Sequence, residues 1–438
     1  MADERRNVVL VTADSIRADH CDYVTEAEGD SAATALTPNV DALAENGVGF
    51  TTAVAPGPRT PSSVPPTMTS TPMPADRIDP TDWQRRLTRI REHVRRSRPL
   101  AARMSEAGYE TVAYVGNPFT SPQTGFDDGF GTFHTLDDGP DLHVLSGTRF
   151  APLTKYLDQW YNRTAFFSRW EEYGGDAIRT VRKTERPVFL WLFLLDTHNP
   201  YTAPRRDRVE SSWPEMYWSQ LRANSLFKDN EATAGSSHRE TVPSRVERSV
   251  QRVYRDAVRS VDRCVGRLRD ELDDAIVVFH SDHGEAFREH GTFGHQRRLY
   301  EENVRVPLAV GGVGEGTVSS VVSLRSLCEM VAAHVTEAVP FTADRWTTDA
   351  ALLRTEDNGR YGLRTNRWKF VRGPARTELY DLRADPDERR NVVGDRPDVV
   401  AELGSRLDER IAALPERRGY DPADADVRDR LSELGYVE

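Results

Sequence analysis

Residues 281–283, Ser-Asp-His, stand directly behind the apolar run Ala275-Ile-Val-Val-Phe-His280 and directly before Gly284-Glu285. A strand that delivers a carboxylate and an imidazole at its carboxyl end offers oxygen and nitrogen donors suited to a divalent cation such as Zn²⁺ or Mn²⁺. In open parallel sheets, ligands gather in the crevice beyond the strand ends. Taken alone, the pair also reads as a surface turn with a capping Asp and a spectator His. Three further apolar runs decide between these readings. Asn7 to Ala13 ends at Asp14, Glu110 to Gly116 ends at Asn117, and Pro187 to Leu195 ends in Asp196-Thr-His198-Asn-Pro-Tyr201. Continuous runs of this length suit strands covered on both faces of a parallel sheet. Four such strands, each handing off to a polar side chain, point to a site.

A fifth segment carries a hydroxyl. Arg59-Thr60-Pro61-Ser62-Ser63 follows the strand-like Gly49-Phe-Thr-Thr-Ala-Val54. Thr60 sits where an N-cap would, with Pro61 at the first helical position. Its hydroxyl would face free backbone N–H groups and the positive end of the helix dipole. Such a Thr is either a plain cap or a nucleophile that a metal activates while N–H groups cradle an oxyanion. Pro65 and Pro66 cannot donate backbone hydrogen bonds, so any helix here is expected to be short or distorted. Arg59 either clamps an anion or faces solvent.

The elements that would position these groups follow from the chain's punctuation. Leu36 to Ala44 has a Thr37 cap, a Pro38 at N1 and apolar residues at helical spacing. Asp82 to Ser97 is Arg-rich with a helical period, and its charges read as a solvated helix face. Residues 203–243 are polar and read as an irregular excursion, part of a lid. Val246 through Leu272 repeats apolar residues every three or four positions, a long amphipathic helix feeding the Asp282 strand. Strands alternating with helices make an α/β fold, a doubly wound and mostly parallel sheet with helices on both faces. After about residue 345 the pattern changes to short antiparallel strands at 359–365, 368–372 and 378–382, then a helix from Pro397 to Ala413. The expected division is a catalytic domain over 1–345, a small α+β subdomain over 346–415 and a charged tail over 416–438.

Composition sets outer bounds. A chain of 438 residues with net charge −11 can bury a large core and gives no support for a nucleic-acid partner. Of its 58 basic residues only Lys155, Lys183, Lys228 and Lys369 are lysines. An acidic, Lys-poor, Arg-rich composition points to a GC-rich genome and a salt-loving host. The start runs straight into the first strand with no secretory pattern. The longest apolar run, Val188 to Leu195, falls far short of the roughly 20 residues that span a bilayer. Cys21, Cys264 and Cys328 fit no zinc pattern and read as reduced thiols, so the expected location is cytoplasmic.

Taken together, these stretches resemble the sulfatase family of the alkaline phosphatase superfamily. The matching segments are Asn7 to His20, Thr60 to Ser70, Phe193 to Tyr201, Ser281 to Glu285, Gly294-His295, Leu299 to Pro307 and Glu378 to Val392. The resemblance implies that Asp14, Asp282 and His283 are ligands of one divalent cation, Mn, Zn, Ca or Mg. Ser15 occupies the place of a second family Asp. Thr60, nine residues before the Thr69-Ser70 that stands where the family has Thr-Gly, aligns with the nucleophile and touches the metal. His198 matches a substrate-contacting histidine, and His295 falls where the family has a Lys or His on the ester oxygens.

The departures carry equal weight. Sulfatases proper make formylglycine from the first residue of a Cys/Ser-x-Pro-x-Arg motif, whereas Thr60-Pro-Ser-Ser-Val64 has a threonine, an early proline and no arginine. Threonine cannot become formylglycine, so none is expected. The Lys-x-His pair that flanks that aldehyde is replaced by Asn117-Pro-Phe119, which makes Asn117, with Arg59, a substrate-binding candidate. The expectation is a metal-dependent hydrolase or phosphotransferase that attacks a phosphate or sulfate ester through Thr60, with His198 as proton donor and His295 stabilising charge. The substrate would be a small-molecule, glycan or lipid-head-group ester. The alternative is a catalytically reduced anion-binding or scaffold member of the fold, with Ser15 as its supporting feature.

Overall fold

The structure, a computed structural model, describes residues 5–27, 35–79, 82–136, 167–219 and 243–415. The apolar runs form strands β1 (Val8–Ala13), β2 (Val48–Val54), β3 (Glu110–Val115), β4 (Thr132–Thr135), β5 (Val188–Leu194) and β6 (Ile276–Ser281). Two short strands, β7 (Ala286–Phe287) and β8 (Phe293–Gly294), make a hairpin. They are followed by β9 (Arg305–Gly311), β10 (Gly316–Val318) and β11 (Val322–Ser323). The main sheet runs β10-β2-β9-β6-β1-β5-β3-β4, with β11 also on β2. Strand β9 is antiparallel to both neighbours, and the other pairings are parallel.

Strand alternation splits the core into two layers. Val8 and Leu10 of β1 face one layer with Trp191, Val278 and the helices Thr60–Thr69, Trp83–Arg96 and Leu327–Glu337. Val9 and Val11 face the other, with Phe279 and the helices Pro38–Glu45, Trp170–Lys183 and Ser244–Glu271. Both faces of the central strands are therefore apolar, which is why they read as unbroken hydrophobic runs. A meander of β12 (Ala351–Arg354), β13 (Tyr361–Arg364), β14 (Trp368–Arg372) and β15 (Thr377–Asp381) forms the second sheet. Leu403 and Leu407 of the helix Pro397–Ala412 pack on its Leu363, Phe370 and Leu379. The sequence reading found three of these four strands and missed the short run at Ala351–Arg354.

Four local expectations change. The helix Thr60–Thr69 continues through Pro65 and Pro66, with all ten residues buried. Tertiary packing outweighs the two missing N–H donors, and the hydroxyls of Thr67 and Thr69 back-bond to the Ser63 and Pro65 carbonyls at 2.8 Å. Thr37 makes no capping bond. Instead Asp262, from the long helix, accepts the Asn39 and Val40 N–H groups, each at 2.9 Å. The arginines of Trp83–Arg96 are not simply a solvated face, since Arg86 and Arg89 are buried beside Leu87 and Ile90. Within the polar excursion, residues 213–219 are helical, while 220–242 and the tail 416–438 lie outside the described residues.

His93 ties that helix to Thr60–Thr69, its Nε2 lying 3.0 Å from Thr69 Oγ1. Burial, with Arg354 and Arg89 beside it, pushes the His93 pKa from 6.5 down to about 3. The folded chain keeps it neutral, whereas the unfolded chain binds a proton below about pH 6.5. The stability this contributes is present above pH 6.5 and is lost as the pH falls towards 3. Urea unfolding from pH 7 down to pH 5 is expected to show wild type losing up to about 1.4 kcal/mol per pH unit more than His93→Gln. Parallel profiles would refute the assignment.

Candidate metal and ester site

Strands β1 and β6 pair in parallel with Ala13 opposite Ser281. The next residue of each, Asp14 and Asp282, therefore leaves the sheet at the same place, and Asp282 N–H donates to Ala13 O at 3.1 Å. Donor atoms of Asp14, Asp282 and His283 all lie within 4.8 Å of one another, and all three residues are buried. His283 Nε2 stands 3.6 Å from Asp14 Oδ1 and 3.5 Å from Asp282 Oδ2. Ligands held about 2.1 Å from one ion in a tetrahedral arrangement stand about 3.4 Å apart, so this spacing fits a single cation.

The hydrogen bonds around the cluster leave the right atoms unused. His283 Nδ1 lies 2.9 Å from Gly284 O, which fixes the proton on Nδ1 and turns the Nε2 lone pair inward. Asp14 Oδ1 accepts from the Ser15 hydroxyl at 2.7 Å, and Oδ2 accepts from Asn117 Nδ2 at 3.2 Å. Asp282 Oδ1 accepts from His283 N–H at 2.9 Å and Ser15 N–H at 3.3 Å. Asp282 Oδ2 is buried with no hydrogen-bond partner among the described residues. A buried carboxylate oxygen without a donor is costly unless a cation takes it.

The electrostatics agree. Burial and the neighbouring Asp14 push Asp282 well up, since two carboxylates resist sharing a buried spot. Burial also acts against Asp14, yet His198, His283 and His295 hold it below its ordinary value. Ser15 adopts a left-handed backbone (φ 64°), which aims its N–H at Asp282 and its hydroxyl at Asp14. That conformation costs a non-glycine residue about 1–2 kcal/mol.

The remaining candidates are placed as follows. Thr60 Oγ1 is buried, 3.4 Å from His283 Nε2 and 3.4 Å from Asn117 Nδ2. Thr60 is not the N-cap: Arg59 is, and Thr60 is the first helical residue. The Ser62 and Ser63 N–H groups both donate to Arg59 O, and Pro61 has none, so those amides are not available to cradle an oxyanion. Arg59 does not face solvent; its buried guanidinium pairs with buried Glu356 at 3.2 Å. The His198 and His295 rings lie 5.5 Å apart, and His295 lies 4.7 Å from His283. Asp196 does not join the group and instead accepts from Trp170 N–H at 3.4 Å.

Sequence reasoning gave Glu285 no role. It is buried, with Oε2 accepting from the Tyr201 hydroxyl at 2.9 Å and Oε1 3.3 Å from His295 Nδ1. Burial pushes its pKa up to about 8. The available signal was its place directly after Asp-His-Gly.

The sulfatase family model matches residues 6–314. The chain belongs to the sulfatase family. It is 28% identical to arylsulfatase K of Rattus norvegicus over 338 residues, which cover 68% of this chain and 48% of that protein. It is 27% identical over 216 residues to an N-acetylglucosamine-6-O-sulfatase of Bacteroides thetaiotaomicron, covering 41% of this chain and 38% of that one. The match thus spans less than half the length of either relative. Among solved structures, the phosphonate monoester hydrolase of Agrobacterium radiobacter shares the fold, with a TM-score of 0.63 at 20% identity over 93% of this chain and 96% of that one.

A sulfatase with this donor set is expected to gain stability from a divalent cation. With Mn²⁺ at about 100 times its dissociation constant the gain is about 2.7 kcal/mol, read as a rise in melting temperature. Asp282→Asn is expected to abolish that rise. A variant that keeps the full shift would show that the cation binds elsewhere.

Proposed function

We propose that this sulfatase hydrolyses, or transfers the acid group of, a phosphate or sulfate ester, with Thr60 as the nucleophile. The observation that carries the reading is Thr60 Oγ1 standing 3.4 Å from both His283 Nε2 and Asn117 Nδ2, beside the three-donor cluster. A divalent cation held by Asp14, Asp282 and His283 would supply positive charge that acidifies the Thr60 hydroxyl and draws in the ester oxygens.

The chain's own residues do the rest. Asn117 Nδ2 donates towards Thr60 Oγ1 and so orients it, since the same amide is anchored on Asp14. Thr60 Oγ, having given up its proton to solvent, attacks phosphorus or sulfur, a Thr60 ester forms, and the bond to the leaving oxygen breaks. His198 delivers the proton to that leaving oxygen. Burial holds the free His198 imidazole below its ordinary pKa, and a bound anion beside it restores affinity for the proton. His295, set against Glu285, lends an N–H to the non-bridging oxygens. Water or an acceptor hydroxyl then takes the group from Thr60. A threonine cannot supply the aldehyde hydrate of formylglycine, so release needs this second attack. The substrate class is a small-molecule, glycan or lipid-head-group ester, in keeping with relatives named for sulfated sugars and phosphonate esters.

Ser15 in place of a carboxylate favours the competing reading of a non-catalytic anion binder. Metal content and turnover of nitrophenyl sulfate, phosphate, phosphodiester and phosphonate esters decide between them. Thr60→Ala is expected to lose turnover of the accepted ester, and mass spectrometry of quenched wild type is expected to find the acid group on the Thr60 peptide. Unchanged rates in Thr60→Ala would remove Thr60 as nucleophile. His198→Ala should slow alkyl esters by about 10²–10⁴-fold but nitrophenyl esters far less, because nitrophenolate leaves without a proton. Equal losses on both would assign His198 to binding instead.

A further inference from the structure

Glu356 lies in the turn between β12 and β13 and is buried. Its Oε1 meets Arg59 Nη1 at 3.2 Å, Arg297 Nε at 3.0 Å and Arg86 Nη2 at 3.6 Å. Its carbonyl accepts from Arg89 at 2.9 Å, and Arg354, buried two residues earlier, has its pKa pushed down to about 9 by burial and by Arg89. Against these five guanidiniums stand Glu356 and Asp76, the latter 3.5 Å from Arg89. Like charges gathered in such a buried place interact strongly.

Arg297 differs from the other four. Its side chain stays 23% exposed, against 6% for Arg59, 2% for Arg86 and 3% for Arg89. Only its Nε is engaged, and its two terminal nitrogens meet no protein acceptor among the described residues. Fixing a guanidinium through Nε leaves its Nη1/Nη2 edge as a preformed fork for a carboxylate, sulfate or phosphate. Arg297 is two residues past His295, and it shares one Glu356 oxygen with Arg59, the residue before Thr60. The fork is thus tied through its neighbours in the chain to both His295 and Thr60. Neutralising Glu356 does not require it, since Arg59 and Arg86 already do so.

We propose that Arg297, oriented by Glu356, binds a second acidic group of the substrate. On the reading of an ester site above, the substrate is then a dianion: a phosphate or sulfate ester that carries another carboxylate, sulfate or phosphate near the reacting one. Glu356 is the positioning residue, and it comes from the C-terminal sheet.

The test compares two probes that differ by one carboxylate, phosphonoacetate and methylphosphonate, titrated calorimetrically into the full chain supplied with Mn²⁺. Wild type is expected to bind phosphonoacetate about 10-fold more tightly, the scale of one charge-assisted pair. Arg297→Ala should lose that preference while keeping its affinity for methylphosphonate, Arg297→Lys should keep part of it, and Arg298→Ala, with the same loss of charge one residue away, should keep all of it. Equal affinities in wild type, absent phosphonoacetate binding, or a preference that survives Arg297→Ala would each overturn the proposal. These are binding measurements, so a chain that prefers the dianion yet turns over no ester would sink the catalytic reading alone. Turnover of nitrophenyl esters without the preference would sink only the dianion.

Discussion

Two carboxylates from neighbouring strands are buried side by side, and most of the site exists to make that tolerable. Asp14 and Asp282 are forced together by the β1–β6 register, because Ala13 opposite Ser281 leaves the next residue of each chain no other place to go. The Ser281 hydroxyl locks the junction, accepting from Ile16 N–H at 2.7 Å and lying 2.9 Å from Ala13 O. In a low dielectric the repulsion between such groups is large. The Ser15 hydroxyl, the Asn117 amide and three imidazoles all answer it, and one Asp282 oxygen still has no hydrogen-bond donor among the described residues. The cation that this shortfall calls for is the same charge an anionic ester would meet, so the folding problem and the binding problem have one solution.

The second sheet takes part in this arrangement. Lys369 of β14 is fully buried and reaches Glu301 at 3.1 Å and Glu388 at 3.0 Å, while Arg364 of β13 meets Glu301 at 3.1 Å. Glu301 follows the β7–β8 hairpin and the segment that carries His295. Buried pairs of this kind add little net stability over apolar packing, but breaking one partner is expensive, so they hold register. Through these pairs and through Glu356, the C-terminal sheet fixes the chain just after His295, at Arg297 and Glu301. It also fixes Arg59 next to Thr60.

The sequence made the metal cluster legible because each donor sits at the end of an apolar run that can only be a doubly covered strand. Asp14, Asn117 and Asp282-His283 could be found that way, since strand ends in a parallel sheet converge. Asp196 shows the limit of the argument: it also ends a strand, yet it turns to Trp170 N–H, because convergence places the chain and not the direction of each side chain. The roles of Arg59 and Arg86 were hidden for a different reason. Their partner, Glu356, lies 297 residues from Arg59 in the chain, and no local pattern marks a carboxylate that will be buried among arginines. The helix through Pro65 and Pro66 was hidden too, since propensity is local and the packing that overrides it is not.

The charge inventory around Thr60 bears on what kind of sulfatase this is. Where the resemblance leads one to expect a Lys-x-His pair beside the nucleophile, the chain has Asn117 followed by Pro118 and Phe119, and Asn117 is committed to Asp14. The Ser62 and Ser63 amides of the Thr60 helix are spent on Arg59 O. On the proposed mechanism, positive charge beside Thr60 is then left to a bound cation and to His198, whose burial holds it below its ordinary pKa until an anion stands beside it. Permanent positive charge is gathered instead on Glu356, where Arg59, Arg86 and Arg297 meet one carboxylate oxygen. If Thr60 is the nucleophile as proposed, the same bound cation would have to assist both the attack that loads Thr60 and the second attack that releases its ester.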